Sequence, residues 1–163
     1  MQELDEQEGQ ENEFVDGEDD SGISFAEQEF INYCEANGLD YEEAAMDEDE
    51  AKDFRKIKRH FTRAVDEKRI TVDGTALIYT VSNRSPKTAA GKTLAGSQFT
   101  IRRPNGRAML AMDGYKDTQQ MNKLEAYMAA ICGIEKRDIG MIAALDKTDH
   151  QLIQDIAILF LTD

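Results

Sequence analysis

Gln98-Phe99-Thr100-Ile101-Arg102-Arg103-Pro104-Asn105-Gly106 decides the fold, because the apolar period of the chain changes across it. Gln98 to Ile101 has the aromatic and β-branched composition of a strand. Pro104 ends that strand, since proline has no amide hydrogen for a ladder, and Asn105-Gly106 offers the positive φ of a tight turn. Arg107 to Met112 reads as a fourth strand or as the entry to the helices, with the strand preferred. Beyond it the period moves from two to about 3.6, and Met121, Leu124, Met128 and Ile131 fall on one helical stripe. Gly133 looks like the stop of that helix. Ile139, Ile142 and Leu145 begin another apolar stripe. Thr148 with Gln151 reads as a capping box opening a last helix, whose Leu152, Ile156, Leu159 and Phe160 share one face.

Upstream of this stretch the same logic gives a hairpin and two helices. Ile70 to Val72 and Ala76 to Val81 are β-rich runs about Asp73-Gly74, a dipeptide that favours a type I′ turn. Ser24 with Glu27 is a capping box, and Phe30, Tyr33 and Cys34 give an amphipathic helix stopped by Gly38. A second helix is expected from about Glu48 to Lys68, with Phe54, Ile57, Phe61, Ala64 and Val65 on one face. Acids occupy its first turn and bases its last turns, as the helix dipole prefers. The expected class is therefore α+β: a small antiparallel sheet packed with short helices, a C-terminal helical bundle and a disordered acidic N-terminal arm. The chain divides into that arm (1–21), two helices, acidic then basic (22–68), a small sheet with a flexible loop at 82–96 (69–113) and a C-terminal helical segment (114–163).

Charge is partitioned as sharply as period. The net charge is −14, yet residues 1–50 hold 20 of the 33 acids and none of the 19 Lys and Arg residues. The remaining 13 acids face all 19 bases, so the rest of the chain carries about +6. An acidic arm on a basic body can bind a basic partner, fold back on its own body, or keep the chain dispersed. Residues 1–21 have too few apolar anchors to offset the entropy of ordering. Two cysteines, Cys34 and Cys132, stand far apart and in no ligand spacing, which suits buried thiols in a reducing compartment. No run approaches the roughly 20 apolar residues of a membrane span, and the acidic N-terminus is unlike a signal peptide.

The chemistry-bearing motifs are thin. Ala90-Gly91-Lys92-Thr93 has a phosphate-loop ending, but Pro86 stands where the loop's first glycine belongs. Asp16, Glu18, Asp20, Ser24 and Glu27 occupy positions 1, 3, 5, 9 and 12 of an EF-hand loop, while position 6, which wants glycine, is Ser21. The basic run Lys52, Arg55, Lys56, Lys58, Arg59, Arg63, Lys68 and Arg69 suits phosphates, yet it spreads round its helix and has no stacking aromatics beside it. His60 and His150 have no sequence neighbours at catalytic or metal spacing. No nucleophile and base pair can be nominated, so no enzyme, cofactor or metal is expected. Five of the seven methionines, Met109, Met112, Met121, Met128 and Met141, gather in the C-terminal part, where core packing is the default use for most of them and flexible thioethers let any that stay on an apolar surface adapt to varied partners.

The strand into Arg103-Pro104-x-Gly106, the helix ending Ala130-Ile131-Cys132-Gly133-Ile134, the Ile139 to Leu145 segment, and Asp149 with Leu152, Ile156 and Phe160 together resemble the phage tail assembly chaperone family. The resemblance covers about 65 of the 163 residues and lies in the order and spacing of the pieces. It implies a non-catalytic factor of a phage or prophage that coats the tape measure protein in the host cytoplasm, keeps it from aggregating during tail assembly, and is absent from the mature virion. Under it, Met121, Leu124, Met128, Ile131, Leu152, Ile156 and Phe160 form a partner-binding or self-association face, and Arg103, Pro104 and Gly106 form the turn motif. Neither membrane nor nucleic acid is an expected partner. A reading from another class is a small regulatory module, responsive to calcium through residues 16–27 or binding nucleic acid through residues 52–69.

Overall fold

A computed structural model describes residues 22–162. Helix α1 (Phe25–Asn37) opens with the expected box: the Ser24 hydroxyl accepts from the Glu27 amide, and the Glu27 carboxylate accepts from the Ser24 amide. Helix α2 (Glu48–Asp66) has a second such box, Asp47 with Glu50. Each box satisfies two of the donors that a helix start leaves orphaned. The faces predicted for the two helices meet. Phe30 packs against Phe54 and Phe61 with ring centroids 5.5 and 5.1 Å apart, and Tyr33 lies 5.6 Å from Phe61.

The sheet follows. Strands β1 (Ile70–Asp73) and β2 (Ala76–Thr80) pair antiparallel, with Asp73 opposite Ala76. The turn is therefore Gly74-Thr75, one residue later than expected, and of the pair only Gly74 has positive φ, +59°. That is the II′ pattern, not the I′ expected. Strands β3 (Thr88–Ala89) and β4 (Lys92–Thr93) form a small separate hairpin inside the segment expected as a flexible loop. Its turn, Ala90-Gly91, has φ of +51° and +73°, so the would-be phosphate loop is a type I′ turn. Leu94, just after it, is fully buried and anchors the segment to the core. Strand β5 (Gln98–Ile101) pairs with β2, giving the order β1-β2-β5. Burial alternates with period two along β2 and β5, and Leu77, Tyr79, Phe99 and Ile101 point inward.

After β5 the structure departs from the sequence reading. Arg102 leaves the ladder and its amide donates to the Ile131 carbonyl at 2.9 Å, tying the end of the sheet to the end of a helix. Asn105 is extended, with φ −126°, and its side chain accepts from the amides of Arg107 and Ala108. It caps α3 (Gly106–Leu110), so Arg107 to Met112 is no fourth strand, and the Asn105-Gly106 pair supplies an N-cap instead of a positive-φ turn. Helices α4 (Gln120–Ile131), α5 (Gly140–Ala143) and α6 (Lys147–Leu159) complete the chain. Gly133, at φ +69°, ends α4: its amide reaches the Ala130 carbonyl and that of Ile134 the Ala129 carbonyl. Helix α6 starts earlier than a Thr148 box requires. Asp146 is its cap, accepting from the Thr148 amide at 3.0 Å.

Helix α4 packs on α6 and α6 on α2, so the helices and the inner face of the sheet share one core. Cys34 and Cys132 are buried in it, and burial pushes both thiols up to about 12. Native protein is therefore expected to leave Ellman's reagent uncoloured at pH 8 over the time in which the urea-unfolded chain releases two thiols. Rapid release of one equivalent from the folded protein would show that one of these sites opens.

Candidate functional site

Two surfaces stand out: an apolar face on α3 and α4, and an arginine-lined cleft where α2, the sheet and α6 meet.

The apolar face is smaller than the sequence predicts, and differently placed. Met128, Ile131, Leu152 and Ile156 are buried in the chain's own core and are not on the surface. Phe160 is half-buried, edge-on to Tyr33 with centroids 6.3 Å apart. The physical reason is that α4 and α6 bury their stripes against each other, a use that periodicity cannot distinguish from a docking face. Of the seven residues expected to bind a partner, Met121 is exposed (57%) and Leu124 half-buried. They are joined by two residues of α3, Met109 (47% exposed) and Leu110 (65%), because α3 packs on α4. With five residues, α3 buries only Ala108, and its two largest apolar side chains are left in solvent. Reading this segment as a strand hid them. The signal was present in Asn105, whose side chain favours a helix cap as readily as a turn. Arg103 and Gly106 of the turn motif are exposed and Pro104 half-buried, at the junction between β5 and α3.

The cleft encloses about 360 Å³ and is lined by Arg63, Glu67, Arg69, Ser82, Asn83, Arg84 and Thr148. Beneath it lies Asp149, fully buried. Its carboxylate accepts from the Ser82 hydroxyl at 2.7 Å, the Ser85 hydroxyl at 2.6 Å, the Ser82 amide at 3.2 Å, the Arg69 guanidinium at 3.4 Å and the Tyr79 hydroxyl. Burial alone pushes Asp149 upward, but donors from Ser85, Tyr79 and Ser82 outweigh it and hold the carboxyl below its usual range. Ser85 also accepts from the Asp146 amide at 2.8 Å, which joins the cap of α6 to the same network. Glu67 is shared by Arg63 and Arg69, at 3.0 and 2.8 Å, and these two hold it below the ordinary carboxylate value. Arg84 has no ion pair among the described residues. The sequence carried a sign of this hub: Asp149 stands at the helical spacing of Leu152, Ile153 and Ile156, an acid on an apolar stripe.

The hydroxyls of Ser82 and Ser85 both donate to the buried carboxylate. The histidines are engaged elsewhere, each with a carboxylate distant in sequence. His60 Nδ1 lies 2.5 Å from Asp155 Oδ2, and His150 Nε2 lies 3.5 Å from Glu125 Oε1. Of the EF-hand positions, Asp16, Glu18 and Asp20 lie outside the described residues. Ser24 and Glu27 are committed to the cap of α1, and Glu27 also pairs with Lys58 at 3.2 Å. Among the described residues no three His, Cys, Asp or Glu side chains gather as metal ligands, and no helix is long and apolar enough to cross a membrane. The reading of residues 1–21 as disordered also lies outside the described residues. Compared with known protein families, curated proteins and solved structures, the chain matches none.

Proposed function

We propose that this chain is a phage tail assembly chaperone, a non-catalytic factor that acts in the host cytoplasm, binds the tape measure protein and keeps it dispersed until the tail tube forms around it. The order of a strand, an Arg-Pro-x-Gly junction and short C-terminal helices supports the reading. The observation that carries it is the exposed apolar face of Met109, Leu110 and Met121 beside half-buried Leu124. Large apolar side chains on neighbouring helices form the kind of patch that marks an interaction site. Unbranched thioethers suit a partner whose successive segments differ in sequence. Covering such a patch contributes roughly 25 cal/mol per Å², and many copies along one long helical partner add avidity to a weak single contact.

The test is co-expression with the tape measure protein, followed by size-exclusion chromatography with mass analysis. Wild-type protein is expected to give a soluble complex with many copies per partner. The double variant Leu110→Glu, Met121→Glu is expected to keep its own thermal unfolding unchanged, because both side chains lie in solvent, while the partner precipitates. A variant that still solubilises the partner at the wild-type ratio would remove this face from the proposal.

A further inference from the structure

Helix α2 has two opposite faces. Phe54, Ile57, Phe61, Ala64 and Val65 enter the core. Lys52, Lys56, Arg59 and Arg63, spaced by four, three and four residues, form an exposed stripe on the far side. Arg63, at the end of the stripe, pairs with Glu67 at 3.0 Å, and beside the stripe Arg55 pairs with Glu43 at 3.7 Å and Lys58 with Glu27 at 3.2 Å. Among the described residues the side chains of Lys52, Lys56 and Arg59 have none. Three like charges on successive turns of one helix repel one another. Glu27 and Glu43 both come from the acid-only first 50 residues, so that part of the chain already supplies counter-charges to α2.

More acid lies just upstream. Residues 1–21 contain ten Asp and Glu and no Lys or Arg. They join the fold immediately before α1, whose first turn is held to α2 by the Glu27–Lys58 pair, next to Arg59. A segment of that length can reach up to about 70 Å. The stripe from Lys52 to Arg63 is only about 17 Å long at the rise of a helix. Tethering keeps the local concentration of acid high beside the stripe. We propose that the Lys52, Lys56 and Arg59 stripe is the docking surface for residues 1–21 of the same chain, an electrostatic sleeve that covers the cations of α2 and withholds them from nucleic acid.

The experiment uses the full chain with Gln10→Cys carrying a nitroxide label, since Cys34 and Cys132 are buried. Amide signals of Lys52, Lys56, Arg59 and their neighbours are expected to lose more intensity than those of the Gly74-Thr75 turn. The difference should vanish in 1 M salt, where the Debye length is about 3 Å. It should vanish too in the variant Lys52→Glu, Lys56→Glu, Arg59→Glu, whose changes all lie opposite the core. Even broadening over the surface, a maximum elsewhere, or insensitivity to salt and charge reversal would overturn the proposal. A second measurement uses short duplex DNA. Full chain with every Asp and Glu of residues 1–21 changed to Asn or Gln is expected to bind it more tightly than wild type at low salt, because phosphate contacts then meet an uncovered stripe. Equal DNA binding by the two proteins would show that the arm leaves the stripe open, and would also overturn it.

Discussion

Asp149→Ala is expected to lower the free energy of unfolding by about 3–5 kcal/mol, the cost of removing one partner from a buried charged network. The substitution leaves the Tyr79, Ser82 and Ser85 hydroxyls without their acceptor and takes from Arg69 its buried counter-charge. It loosens three parts of the fold together, because the carboxylate on α6 binds the end of β2 and the segment after it, while Ser85 returns a bond to the Asp146 cap. In urea the midpoint should fall with the slope unchanged. The acid limb gives an independent check. Asp149 has a folded pKa below its unfolded value of about 3.9, so its contribution is complete above that value and is lost as pH falls through the folded pKa. Asp149→Asn cannot titrate and should flatten the decline in stability below about pH 4 relative to wild type. An unchanged acid limb would mean that other carboxylates set it.

Phe61→Ala is expected to cost a similar amount, about 3–5 kcal/mol, through lost burial and the cavity left behind. Phe61 is fully buried where α1 meets α2, in contact with Phe30 edge-on and with Tyr33. For a chain of this length each kcal/mol moves the melting midpoint by about 2–4 °C, so a large shift in calorimetry should follow. Phe25→Ala is the matched control. Phe25 is 73% exposed, and its loss should change stability by less than about 0.5 kcal/mol. Comparable losses from the two variants would mean that α1 is held by something other than its packed face.

The sheet and the first two helices were legible because their signals are local. Ser24 with Glu27 caps a helix wherever that helix packs, and the Phe54, Ile57 and Phe61 stripe has to bury against some neighbour. Arg107 to Met112 misled for an equally local reason. Asn105-Gly106 suits a turn and a cap alike, and the choice fell to the helix once Arg102 left the ladder to bond with Ile131. The candidate binding face was half legible. Met121 and Leu124 belong to it, while Met128 and Ile131 follow the same period into the core.

The sequence alone determined the α+β class, the caps of α1, the stop at Gly133 and the division of charge between an acidic start and a basic remainder, because each rests on residues close together in the chain. Only the tertiary structure decided which apolar stripes face each other and which stay in solvent. It alone joined Tyr79, Ser82 and Ser85 to Asp149, and His60 to Asp155, since those partners lie more than 60 residues apart and nothing in local spacing links them.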